Sequence, residues 1–235
     1  MTQVLKRLEV LSFLPFLLGG CGKTLTNEEL IRKAYLDCVE VSENKLRPLV
    51  NLVPSEEKVT WNESKDKVLL FTLHRYPSSY PDGQTITTSW GESWLCSFKE
   101  YQNWYVENKN NIKDPLLRTK QVLGMGEDSQ NTYITSMWVN PNDVIRPAYE
   151  TNPTKEMRLS FAEDVSETYK TWFASQYYYS YETKHLPWTR LGYTYDWSRE
   201  AKDRYGLTEF LAWKNTTMTV DKTMLVTDLV KTFNN

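Results

Sequence analysis

Residues 68–76, Val-Leu-Leu-Phe-Thr-Leu-His-Arg-Tyr, decide the fold of this chain. The run is bulky, apolar and partly β-branched, which suits the middle of a sheet rather than a half-exposed edge. Tyr80-Pro81-Asp82-Gly83 follows as a turn signal, and residues 84–90 alternate like a second strand. Upstream, residues 58–61 carry weaker strand character. Downstream, strands are predicted over 132–139 and 156–161, with a hairpin of 207–213 and 218–221 around Asn215. Helices are predicted over 98–108, over 115–123 after an Asp114-Pro115 start, and over 164–181 from an acidic N-cap at Asp164. Residues 225–233 read equally as helix or strand. Thr26 and Glu29 form a capping box, and Leu30, Ile31, Ala34, Tyr35, Cys38 and Val39 recur at helical spacing over 27–42. Residues 43–57, broken by Pro48 and Pro54, read as loop. Strands and helices are mixed without βαβα alternation. The expected class is therefore α+β: one compact domain over 27–235, a mainly antiparallel sheet with several packed helices.

The 235 residues include 28 basic and 30 acidic side chains, a balance without the electrostatic footprint of a nucleic-acid binder. Hydrophobic residues make up 40% and aromatics 14%, enough for a substantial core.

The N-terminus is built like an export signal. Lys6 and Arg7 supply positive charge, residues 10–18 (VLSFLPFLL) are apolar, and Gly19-Gly20 are small. The apolar run falls short of the about 20 residues that a spanning helix needs. Leu18-Gly19-Gly20-Cys21 resembles the lipobox of bacterial lipoproteins. That resemblance implies a cleaved signal peptide at 1–20, diacylglycerol and further acylation on Cys21, and a short lipidated tether at 21–26. Gly22, where an inner-membrane lipoprotein carries Asp, favours the outer membrane, facing the periplasm. Removing 1–20 takes Lys6, Arg7 and Glu9, which leaves 26 basic and 29 acidic side chains.

Cys38 and Cys96 remain in what is expected to be an oxidising compartment. A disulfide closing the about 57 residues between them contributes roughly 4 kcal/mol on the loop-entropy view. The alternative is a pair of buried free thiols packed as small hydrophobes.

Three blocks resemble a family of exported bacterial proteins: residues 117–125 (LRTKQVLGM), 137–147 (MWVNPNDVIRP) and 187–197 (PWTRLGYTYDW), the last trailed by 206–210 (GLTEF). The likeness covers about residues 114–213. It implies a shared fold and export, and brings no catalytic residue, cofactor or substrate.

Catalytic chemistry is thinly represented. His74 and His185 are the only histidines and have no metal-ligand spacing, and no metal or cofactor is expected. Nucleophile elbows and phosphate-binding glycine loops are absent. Carboxylate pairs of the glycosidase kind are conceivable at Glu92 with Glu100, or Asp196 with Glu200. The aromatic block is richer. Trp188, Arg190, Tyr193, Tyr195, Asp196 and Trp197 are candidates for a binding surface, being residue types enriched at protein-binding hot spots. The competing arrangement is a packed aromatic core with Arg190 paired to Asp196 or Asp143, and Asp143 with Arg146 reads as a local ion pair. The expected function is that of a lipid-anchored envelope protein with a non-catalytic protein-binding or accessory role, an immunity or exclusion protein being one sub-case. Its partners would be the membrane, through the anchor, and an envelope protein. The alternative is a peptidoglycan- or glycan-active protein, a binder or a carboxylate-dependent hydrolase.

Overall fold

The computed structural model describes residues 24–233, so the signal segment and the lipidation candidate Cys21 lie outside the described residues. In chain order the elements are α1 (Asn27–Val39), β1 (Val68–His74), β2 (Thr85–Thr87), β3 (Ser93–Ser97), α2 (Phe98–Asn108), α3 (Pro115–Val122), β4 (Tyr133–Val139), β5 (Val144–Ile145), α4 (Glu167–Tyr178), β6 (Tyr193–Tyr195), β7 (Tyr205–Ala212), β8 (Thr217–Leu225) and α5 (Val226–Thr232). The strands form one antiparallel sheet in the order β2-β8-β4-β1-β3-β7-β5, with β6 added on β7. This is the α+β class that the sequence implies, and β1 lies at its centre. Val68, Leu70 and Phe71 of β1 are almost fully buried, which explains why its run is apolar on both faces.

The alternation of the strands sorts two cores. On one face, Val68, Leu70, Leu95, Met137, Phe210 and Val220 pack under the loop residues Val50, Leu52 and Val59. The opposite face carries Phe71, Cys96, Ile134 and Leu207 under α2, α3 and α5. A third cluster, Leu30, Ala34, Cys38, Phe173, Tyr181, Trp188 and Trp197, joins α1 and α4 to the 188–197 segment.

Local chemistry explains the element ends. The capping box of α1 forms as expected: Thr26 Oγ1 accepts from Glu29 N (3.2 Å) and Glu29 Oε2 from Thr26 N (2.7 Å). Asp114 caps α3 through Leu117 N, with Pro115 in the first turn. At the other end Gly124 adopts φ +68°, with Gly124 N donating to Gln121 O (3.1 Å) and Met125 N to Lys120 O (2.8 Å), a Schellman stop.

Several expectations are corrected. Residues 156–161 form no strand, and 58–61 contribute only an isolated bridge from Trp61 to Val68. The cap of α4 is Ser166, whose hydroxyl accepts from Tyr169 N (3.2 Å), not Asp164. Residues 225–233 resolve as helix, because Val226, Leu229 and Val230 recur at helical spacing against the sheet. The Cys38–Cys96 disulfide is not formed. Both thiols are free and buried in different clusters, Cys38 between α1 and the 188–197 segment and Cys96 under α2.

Candidate functional site

The six candidate surface residues are interior. Trp188 is 6% exposed, Arg190 5%, Tyr193 5%, Tyr195 5%, Asp196 2% and Trp197 0%, so they make no exposed aromatic platform. The cause is the density of mutual contacts. Trp188 packs on Phe173 at 4.8 Å and edge-on to Trp94 at 6.2 Å. Trp197 donates from Nε1 to Met125 O (2.9 Å), and Tyr195 from its hydroxyl to Asp37 Oδ2 (2.9 Å).

The charges pair differently from the sequence expectation as well. Asp196 accepts from Arg118, Nη1 to Oδ1 at 2.9 Å and Nη2 to Oδ2 at 2.6 Å, a two-pronged buried pair under the Trp104 ring. Arg190 turns to the C-terminal end of α1. Its Nη2 donates to Cys38 O (2.9 Å) and Val39 O (2.7 Å), and its Nε to the Tyr181 hydroxyl (3.0 Å). Arg146 makes no local ion pair with Asp143. Its guanidinium is wholly buried and spread over carbonyls of Val50, Asn152, Pro153 and Lys155 and the Asn51 side chain.

Of the candidate carboxylate pairs, Asp196 and Glu200 share Ser198 as a partner, Ser198 N donating to Asp196 Oδ1 (3.1 Å). Glu92 is exposed, whereas Glu100 is held by Thr208 N (2.9 Å) and Thr208 Oγ1 (3.2 Å). Glu200 accepts from Ser198 Oγ (2.6 Å). His74 is a satisfied core histidine: Tyr76 N donates to Nδ1 (3.1 Å), which leaves Nε2–H for Thr135 Oγ1 (2.7 Å). Among the described residues, no group of three or more His, Cys, Asp or Glu is placed to hold a metal ion, and no helix is long and apolar enough to cross a membrane.

A cavity of about 480 Å³ opens on the helical side of the sheet, between the second and third clusters. Its walls are the 123–131 turn held by the α3 stop, the 186–188 segment, Gln176 and Tyr179 from the end of α4, and Trp94 of β3. Glu209 of β7 reaches it from the sheet. Strand alternation puts Glu209 in phase with Leu207 and Leu211, on the face the helices cover, opposite Cys96. Glu209 is half-buried, its carboxyl makes no hydrogen bond or ion pair with any described residue, and desolvation alone pushes it from 4.5 up to about 8. Trp188, a second wall residue, has a buried indole N–H without an acceptor. An unpartnered, half-buried carboxyl and an orphaned donor beside a hollow of this size make it the candidate binding site.

Of the candidates from the sequence, Trp188 and Tyr193 line this cavity; Arg190, Tyr195, Asp196 and Trp197 do not. Trp197 nevertheless braces its wall through Met125 O. Glu209 escaped notice because it sits inside an ordinary-looking strand. Its signal was the phase: an acid among Leu207, Phe210 and Leu211, on the buried side of the alternation. No family model matches this chain, and neither a curated protein nor a solved structure does.

Proposed function

We propose that this is a lipid-anchored envelope protein that works by binding, and that the Glu209 cavity, rather than an exposed aromatic face, is where it binds. The observation that carries the site is the unpartnered Glu209 carboxyl in a preformed cavity. The address rests on Cys21 and the small residues before it. A tether over 22–26 would reach at most about 18 Å, so a domain anchored there lies close to the membrane. The cavity opens near the root of that tether. Asn27 Nδ2 donates to Glu127 Oε2 (2.9 Å), beside Gly126 and Asp128 of the cavity wall.

Two measurements test this reading. Mass analysis of the native product is expected to show loss of residues 1–20 and acylation at Cys21; an intact Met1 without acyl groups contradicts the anchor. A photo-crosslinking residue at Ser129, in the cavity wall, is expected to capture a ligand or partner segment in native envelopes. Equal yields at Ser129 and at the exposed Trp90 would contradict the cavity as the site.

The alternative glycan reading draws on one feature, the combination of Trp94 and Trp188 with the carboxyls of Glu209 and Asp128 in the same cavity. It expects the protein to sediment with purified peptidoglycan, or to release soluble fragments from it. Blank results in both assays would contradict a glycan ligand.

A further inference from the structure

We infer that the Glu209 cavity binds a small organic cation, an ammonium group seated against the Glu209 carboxylate and covered by the indole rings of Trp94 and Trp188. This deepens the cavity reading of the previous section and rests on it.

The charge of the lining carries the argument. The described residues around the cavity include two carboxyls, the half-buried Glu209 and the exposed Asp128, and no lysine, arginine or histidine. Arg32 and Lys184 lie in an adjoining hollow that shares Asp128 and Gly126. An acid without a cation is costly to hold ionised where burial strips part of its hydration, and a ligand cation offsets that cost. Indole faces add cation–π attraction, which is larger when the cation is desolvated. A hollow of about 480 Å³ admits a molecule of several heavy atoms and excludes most of a peptide.

Binding is coupled to a proton. In the free protein the Glu209 carboxyl holds its proton up to about pH 8, so a cation entering near neutrality displaces it. The groups around Glu209 are Cys96 across β3, Tyr193 of β6, Tyr179 beyond α4, Asp128 at the wall, and Cys38 and Tyr169 within its field. Burial pushes Cys38, Cys96, Tyr169 and Tyr193 up, so they remain neutral through this range. Glu209 is left as the group that titrates inside.

The experiment is calorimetric titration of the full chain in detergent with two cations and their uncharged isosteres: choline against 3,3-dimethylbutan-1-ol, and butylammonium against butan-1-ol. The cations are expected to bind at least about tenfold more tightly than the alcohols, with affinity rising about tenfold from near pH 7 to near pH 9. Glu209→Gln, which keeps the shape, is expected to lose both the preference and the slope. Short-chain phosphatidylethanolamine locates the source: displacement of butylammonium points to a lipid headgroup, no displacement to a free amine.

Alcohols binding as well as cations, a flat pH profile, choline binding by Glu209→Gln at wild-type strength, or no binding by any probe would each overturn the inference. Ser129→Trp separates the two levels of the argument. If the alcohols bind wild type and fail on Ser129→Trp, the cavity stands and only the ligand class falls; if they bind both alike, the cavity itself falls.

Discussion

At the scale of single residues, Glu209 and Arg190 show how burial sets function apart from packing. Arg190 is satisfied by carbonyls and tyrosines, so it holds structure together. Glu209 has no partner, so it stores a cost that a ligand relieves. That cost has a definite pH signature. The folded state keeps the Glu209 proton up to about 8, whereas the unfolded chain releases it near 4.5. Between those values folding takes up a proton, so the stability from this group is full below 4.5 and lost as pH rises through 8. Glu209→Gln is therefore expected to melt with wild type near pH 5 and about 5 °C above it near pH 9, read by differential scanning calorimetry. Glu100, pushed by burial up to about 7, adds a slope of the same sign that the substitution leaves in place.

At the scale of elements, the two ends of α1 are closed differently, one at the surface and one in the core. The Thr26 cap of α1 is exposed, whereas the other end of α1 is closed by the buried Arg190 guanidinium on Cys38 O and Val39 O. Thr26→Ala is expected to cost about 1 kcal/mol in urea unfolding. Arg190→Ala, which strips several charge-assisted bonds and ring contacts, is expected to cost about 3 kcal/mol. Equal costs would show that α1 is held by its apolar face alone.

The elements also mark what the sequence could tell. The 68–76 run was readable because a central strand is apolar on both faces, and the 26–29 box because capping is local chemistry. Residues 188–197 read as either a binding surface or a packed core for a physical reason, and the structure shows the packed core. Aromatic rings mixed with Arg190 and Asp196 look amphipathic until the partners appear, and Arg118 and the end of α1 are distant in sequence. Residues 156–161 carry strand-like composition but pair with no strand, and Phe161 packs instead on Tyr149 and Phe173. Glu209 was legible only once its strand had been given a covered face.

At the scale of the whole molecule, one sheet carries two differently covered faces, and the cavity lies where the helical cover is split between the second and third clusters. Stability comes from these apolar clusters without a covalent crosslink, since Cys38 and Cys96 are free. Reductant is therefore expected to leave the melting temperature unchanged. A thiol reagent is expected to find both cysteines only after denaturation, because burial shields them and pushes their thiols up. A drop in melting temperature with reductant would show that the two are joined.

The most direct test of the account is the titration of the Glu209 carboxyl itself, followed by carbon NMR on the labelled full chain and assigned by its loss in Glu209→Gln. The account predicts a midpoint of about 8 in the ligand-free protein. A midpoint near the ordinary 4.5 would mean that the carboxyl is solvated or already partnered, and would contradict the cavity as an unfilled cation site.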